Sequence, residues 1–196
     1  MIIIMILKNL NSTKIELTKI EEIYKYFIYD FTASDTAKKV NLSRQTINKY
    51  YKDFRNSLLN KTQNRFNIKN VEQECIILNS YSFNKINFYY IEDKNNYYFL
   101  DIDDSKNKKL FILIEEEIEN KLKNHKKANA VKILYNKNRD SYFILGYINS
   151  SKNINDYISQ RLKKFRGINK NNYKRYIEET FIRYNTNKSH LLNNPF

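Results

Sequence analysis

Apolar residues recur at helical spacing through the first third of the chain, which predicts a run of helices there. The first helix begins at an N-cap, Thr18, and continues to about Phe31. Its buried face comprises Ile20, Ile23, Tyr24, Phe27 and Ile28.

A second and a third helix follow after short breaks. Ser34 caps the second helix, which extends from Asp35 to Val40, with Asp35 placed favourably at the positive end of the helix dipole. Asn41 tolerates the left-handed backbone of a tight turn, and Ser43 then caps the third helix. The inward-facing positions of the third helix are Ile47, Tyr50 or Tyr51, Phe54 and Leu58.

The middle of the chain carries strand-like apolar runs between Asn, Asp and Lys turn signals. The predicted strands are Cys75–Phe83, Ile86–Ile91, Tyr97–Ile102 and Ala130–Tyr135. Residues 108–123 begin like a strand, but they also carry an apolar stripe at helical spacing, and we predict a helix. Two basic helices, 155–165 and 171–184, close the chain. This order of elements favours an α/β layer fold of the α+β kind, with an antiparallel meander at its start.

The second and third helices have the spacing of a helix-turn-helix. Ala37 is small where the two helices would cross, Val40 and Leu42 flank the turn, and Ile47 and Tyr50 hold the third helix against the second. The outer face of the third helix is then formed by Arg44, Gln45, Asn48, Lys49 and Lys52. Arg, Gln and Asn make bidentate contacts to base edges, whereas Lys and the Ser43 hydroxyl suit phosphates. The alternative is an ordinary helical hairpin with a solvated basic face.

The distribution of charge agrees with a nucleic-acid partner. The net charge is +14, part of which reflects the abundance of Asn, Lys, Ile and Tyr that an AT-rich genome produces. Residues 1–70 and 151–196 each carry an excess of +7, whereas residues 71–150 are neutral. A uniform bias would spread the excess evenly, so we interpret the two basic ends as phosphate-facing surfaces. The cations singled out on the C-terminal basic helices are Arg161, Lys163, Lys164, Arg166, Lys174 and Arg175.

Two segments resemble bacterial insertion-sequence transposases of the ISXO group. The segment Thr46-Ile-Asn-Lys-Tyr-Tyr-Lys-Asp-Phe-Arg55 is similar to the end of that family's N-terminal DNA reader. The segment Arg161-Leu-Lys-Lys-Phe-Arg-Gly167, followed by Tyr176-Ile-Glu-Glu-Thr-Phe-Ile-Arg-Tyr-Asn185, is similar to its closing signature, a basic R-L-x-K-F-x-G before a helix ending in E-x-x-x-R-[FY]-N. The resemblance covers about a third of the chain, in the right order.

The resemblance implies a helix-turn-helix followed by an RNase H-like domain. In that family, carboxylates on the first strand, the fourth strand and a late helix hold two divalent metals for DNA cleavage and strand transfer. This chain departs from the pattern at each place. It has Asn79-Ser-Tyr-Ser-Phe83 on the first strand, Tyr135-Asn-Lys-Asn138 on the fourth, and Lys152-Asn-Ile-Asn-Asp156 before Arg161. We therefore expect a degenerate transposase that binds DNA, with no catalytic or metal-ligating residues and no cofactor.

Two alternatives stay open. One is an active transposase whose metal-binding carboxylates have been relocated. The candidates are Asp101, Asp103 and Asp104 at a strand end, with Glu115–Glu117 on the next helix. The simpler interpretation of these residues is a solvated strand end and an exposed acidic face. The other alternative is a helix-turn-helix transcriptional regulator with a sensing or dimerising body.

These considerations predict four segments. Residues 1–60 form a three-helix helix-turn-helix domain, 61–70 a linker, 71–185 a shortened RNase H-like mixed sheet with helices, and 186–196 a tail. The predicted DNA contacts are Ser43, Arg44, Gln45, Asn48, Lys49 and Lys52, with Arg161, Lys163 and Lys164 from the C-terminal region. The partner is double-stranded DNA, and we expect a homodimer because such readers often work in pairs.

The expected location is cytoplasmic and nucleoid-associated. The apolar start, 1–7, is too short to span a bilayer and lacks the features of a signal peptide, so no membrane partner is expected. The single Cys75 has no disulfide partner and no metal-ligand spacing around it, which fits a reducing compartment.

Overall fold

The computed structural model describes residues 15–61, 73–83, 86–93, 96–100, 130–139, 141–148, 154–165, 168–169 and 172–193, with Glu116 and Asn120. The helices in this part of the chain are α1 (Leu17–Ile28), α2 (Ala33–Val40), α3 (Arg44–Lys61), α4 (Ile154–Lys164), α5 (Tyr173–Asn185) and α6 (Lys188–Asn193). The strands are β1 (Cys75–Phe83), β2 (Ile86–Asp93), β3 (Asn96–Leu100), β4 (Ala130–Asn136) and β5 (Ser141–Ile148). The fold is therefore of the α+β class.

The chain divides into two compact units. Residues 1–63 and 164–196 form the first, here called the helical unit, and residues 64–163 form the second, the sheet unit. The predicted domain bounds differ from this division, because they placed α5 in the second domain and began a tail at residue 186, where α6 follows. The reason is burial: Ile182 of α5 and Leu191 of α6 belong to the apolar core that α1 and α3 build.

Aromatic residues form the centre of the helical unit. The rings of Tyr24 and Phe54 meet edge to face with centroids 5.2 Å apart, and the rings of Phe27 and Tyr51 lie at the same distance. Both candidate tyrosines of α3 are buried, so Tyr50 and Tyr51 share the inward face with Ile47, Phe54 and Leu58. The helical periodicity of the sequence therefore predicted this core correctly.

The sheet unit contains an antiparallel sheet in the order β3-β2-β1-β4-β5. All four pairings between neighbouring strands are antiparallel, so the prediction of a mixed sheet is wrong for the described strands. The predicted meander at the start is confirmed as β1, β2 and β3. The strand β5 was not predicted; residues 137–140 connect it to β4, and so short a connection requires an antiparallel neighbour.

Both faces of the sheet carry buried side chains. One face presents Ile76, Leu78, Ile91 and Ile133 among others to an apolar cluster. The other face carries tyrosines whose hydroxyls reach α4: Tyr90 donates to Asn155 Oδ1 at 2.8 Å, and Tyr81 hydrogen-bonds Ser159. These bonds place α4 on this face of the sheet, over β1 and β2.

Some predictions fall on residues that the structure does not describe. They concern the apolar start 1–7, all of the linker but Lys61, and the helix at 108–123 apart from Glu116 and Asn120, which are helical. The alternative metal-binding residues Asp101, Asp103 and Asp104 also lie outside the described residues, as does Arg166.

Alkaline pH should destabilise the helical unit through Tyr51. Burial raises the pKa of its hydroxyl to about 12, although a 2.6 Å hydrogen bond with Thr36 and the charge of Arg183 lower it. Because the unfolded state loses this proton near pH 10, the contribution of Tyr51 is complete below pH 10 and is lost as the pH rises towards 12. Stability should fall by at most ~1.4 kcal/mol per pH unit on this account.

The measurement is urea unfolding of the wild type and of Tyr51→Phe between pH 8 and pH 12. The difference in unfolding free energy between the two proteins isolates Tyr51 from the lysines that titrate in the same range. We expect the advantage of the wild type at pH 8 to shrink above pH 10. A difference that stays constant with pH would contradict the role assigned to Tyr51.

Candidate nucleic-acid interface

Capping residues and one turn residue define where α2 and α3 begin and how the chain passes between them. Thr32, rather than the predicted Ser34, caps α2, because its Oγ1 accepts the Asp35 N–H at 3.2 Å. Asn41 has φ 53° and ψ 51°, the left-handed conformation that the sequence predicted. The Ser43 Oγ accepts the Thr46 N–H at 3.1 Å, which confirms the predicted cap of α3.

The outer face of α3 is accessible. The five residues predicted there are exposed: Arg44, Gln45, Asn48, Lys49 and Lys52; Ser43, the sixth predicted DNA contact at this end of the helix, is exposed as well. The hydroxyl of Ser43 is committed to its capping bonds with Thr46, so its role in the structure is to begin the helix. The other five present guanidinium, amide and ammonium groups to solvent, the donor types that contact base edges and phosphates.

The three C-terminal residues predicted to contact DNA have different environments. Arg161 is 2% exposed because it lies on the buried face of α4 with Ile158 and Leu162, so the prediction of a DNA contact there is wrong in this structure. Lys163 is exposed. Lys164 is exposed as well and approaches Asp30 Oδ2 at 3.4 Å, a surface pair that contributes little stability.

A groove of about 680 Å³ lies within the helical unit. One wall is a stripe of α3 that includes Arg44, Asn48, Lys52 and Arg55, and the opposite wall is formed by residues between Lys164 and Tyr176. Gln45 and Lys49 do not line it. Three of the five residues of the predicted outer face therefore border a basic groove, and the other two lie on the surface beside it.

Arg55 connects α3 to α5 through Glu179 and Tyr176. The Nε of Arg55 donates to Glu179 Oε2 at 2.6 Å, and its guanidinium carbon lies 4.0 Å from the centre of the Tyr176 ring. Glu179 Oε1 accepts a second hydrogen bond from Arg183 Nε at 2.8 Å. Arg183 also donates to the carbonyls of Phe27 and Ile28 at the end of α1. One fully buried carboxylate thus holds two arginines, and through them α1, α3 and α5.

Sequence reasoning missed the opposite wall of the groove. Arg175 was noted only as one of several C-terminal cations, and Arg55 was not proposed as a site residue. Helical spacing did carry a signal for Arg55, because positions 44, 48, 52 and 55 share one side of a helix. No local pattern indicates that Lys164, Arg175 and Tyr176 lie opposite α3.

The structure describes two positions, Asn79 and Asn136, in the strand segments where the resemblance predicted a departure from the family's carboxylates. Asn79 is buried on the face of β1 that also carries Tyr81. Asn136 uses its Oδ1 to accept the backbone N–H groups of Asn138 and Arg139 in the turn after β4. Among the residues that the structure describes, no group of three His, Cys, Asp or Glu side chains is placed to hold a metal ion. In the same residues, no helix is long and apolar enough to cross a membrane.

Comparison of the chain with protein-family models, with curated proteins and with solved structures finds no match.

Proposed function

We propose that this protein binds double-stranded DNA through a helix-turn-helix formed by α2, the turn at Asn41 and α3. The observation that carries the proposal is the outer face of α3, where five basic or amide side chains are exposed together. The N-terminal residues of a recognition helix are the ones that contact base edges, and Arg44, Gln45 and Asn48 occupy that part of α3.

The proposal extends to a transposase-derived origin. The two segments that resemble the family's reader and closing signature meet in the helical unit, since Arg55 of the first pairs with Glu179 of the second. The Glu and Arg of the E-x-x-x-R signature are Glu179 and Arg183, and here they hold helices together. The resemblance thus supports one DNA-binding module built from both ends of the chain.

We also propose that strand transfer has been lost. An amide such as Asn79 cannot supply the negative charge that a carboxylate gives to a divalent metal. We accordingly propose that the five-stranded sheet is the remnant of an RNase H-like domain. It departs from the mixed sheet of such a domain because its described strand pairings are all antiparallel.

A DNA-nicking assay with Mg²⁺, on duplexes carrying any inverted repeats that flank the gene, should show no cleavage. Cleavage would favour an active enzyme.

The central experiment is selection of duplexes from a random library by the full chain, followed by anisotropy titrations. A selected duplex should bind at least about 10³-fold more tightly than a shuffled one at physiological salt. Equal affinity for both duplexes, or no binding, would refute sequence-specific recognition. A palindromic selected site with half-sites about one helical turn apart would indicate a dimer.

Neutralising a surface lysine of α3 should weaken binding without changing sequence preference. Lys49 is exposed and lies outside the groove, so we expect it to contact a phosphate. For Lys49→Gln, the slope of log K against log salt should decrease in magnitude by about 1. Lys25→Gln, on the exposed side of α1, is the matched control and should leave the slope unchanged. Equal slopes for wild type and Lys49→Gln would remove Lys49 from the interface.

A further inference from the structure

The groove beside α3 has the charge of a phosphate-binding site. Five cationic residues line it, namely Arg44, Lys52, Arg55, Lys164 and Arg175, and no carboxylate is among the described residues that do so. The only side-chain partner of Arg175 in the described chain is the amide oxygen of Asn56, at 3.2 Å. Such a lining favours an anionic occupant.

Arg55 is the most rigidly placed of these cations. It is only 8% exposed although it lines the groove. The bond to Glu179 occupies Nε, and the ring of Tyr176 lies against the guanidinium. In the described part of the chain, the two terminal nitrogens of the guanidinium have no hydrogen-bond partner. A guanidinium fixed in this way offers its remaining N–H donors in the planar arrangement that suits phosphate oxygens.

The spread of the cations indicates an extended occupant. Arg44 and Arg55 are eleven positions apart on one helix, which is ~16 Å at the rise of an α-helix. A single phosphate needs cations at one point, whereas one DNA strand carries a charge about every 3.4 Å of helix axis. The opposite wall supplies Arg175 close to the N-terminus of α5, where the helix dipole adds positive potential.

We infer that this groove holds one sugar–phosphate strand of the duplex whose bases α3 reads, with Arg55 and Arg175 contacting its phosphates. The inference rests on the proposed DNA binding, and it adds the wall that includes Lys164, Arg175 and Tyr176 to the interface. It also assigns Arg55 a double role, in which the bond to Glu179 orients the group that contacts DNA.

Arg175→Gln tests the inference, because Arg175 is exposed and its loss leaves the core intact. Affinity for the selected duplex should fall about tenfold, and the salt slope should decrease in magnitude by about 1, while the ratio of specific to shuffled affinity stays constant. The matched control is Lys188→Gln, an exposed cation of α6 outside the groove, which should change neither quantity.

Backbone chemistry provides the second readout. Neutral methylphosphonate linkages, placed one at a time along the selected duplex, should weaken the wild type at the contacted positions. At one of these positions, the replacement should leave the affinity of the Arg175→Gln variant unchanged. If Arg175→Gln matches the wild type in affinity, slope and linkage profile while the wild type binds DNA normally, the groove does not hold a strand and the proposed function stands.

Two other outcomes would overturn the inference. If the wild type binds no duplex, the proposed function fails, and calorimetric titration with pyrophosphate then tests the groove alone. Uptake of pyrophosphate by the wild type but not by Arg175→Gln would assign the groove to a free phosphate compound. Equal affinity for the duplex and for its separated strands would show that the groove binds single-stranded nucleic acid.

Discussion

Glu179→Gln should lower the free energy of unfolding of the helical unit by ~3–5 kcal/mol. The carboxylate is fully buried and binds Arg55 at 2.6 Å and Arg183 at 2.8 Å, so its neutralisation leaves two buried guanidinium groups without a counter-charge. The amide has nearly the same shape, and the loss is therefore electrostatic and not a consequence of a cavity. Few single substitutions in this chain should have a larger effect.

Urea unfolding followed by circular dichroism at 222 nm measures this effect, because most of the described helices belong to the helical unit. Glu21→Gln is the matched control, since Glu21 is exposed on α1, and it should change stability by less than about 0.5 kcal/mol. If the unfolding free energy of Glu179→Gln lies within about 1 kcal/mol of the wild-type value, the charges of the two arginines must be compensated by other groups.

The cluster around Glu179 also shows why the burial of its arginines could not be predicted from the sequence. Arg55 and Arg183 are cations in basic segments, and a basic segment predicts a solvated or phosphate-facing surface. Their burial depends on one carboxylate that is 124 residues from Arg55 in the chain. Charge pairing over such a separation leaves no periodic signal, so it is visible only in the folded chain.

Local patterns, in contrast, predicted local structure well. The apolar spacing of Ile47, Phe54 and Leu58 placed the buried face of α3, and Asn41 and Ser43 marked the turn and the cap. These features depend on neighbours within a few residues, which is the range that helical periodicity and capping report. Because the buried face of α3 was predicted correctly, the exposed face of α3 that carries the candidate site was predicted with it.

Long-range arrangement was predicted less well. The direction of β4 relative to β1 is not encoded by alternation along either strand, so the expectation of a mixed sheet came from the family resemblance and not from the residues. Arg161 illustrates the same limit on a smaller scale. Arg161 lies on the same buried face of α4 as Ile158 and Leu162. The basic composition of the segment led instead to the prediction of an exposed side chain.

Arg44→Ala should abolish discrimination at one base pair of the selected site while leaving preferences at distant base pairs intact. Arg44 is the first residue of α3 and is exposed at the border of the groove, so a duplex held there presents a base edge to its guanidinium. A bidentate contact of this kind contributes ~1–3 kcal/mol of discrimination, equivalent to roughly 5- to 150-fold in affinity. The expected base is guanine.

Asn48→Ala should act in the same way at a neighbouring position, where the amide pairs with adenine. The measurement is the affinity of each variant for the selected site and for every single-base-pair change of it. Because Lys49→Gln removes a phosphate contact, it should weaken all of these duplexes by a similar factor and so serves as the internal comparison. If Arg44→Ala and Asn48→Ala give the same uniform loss as Lys49→Gln, α3 does not read bases, and recognition must come from the backbone and the shape of the DNA.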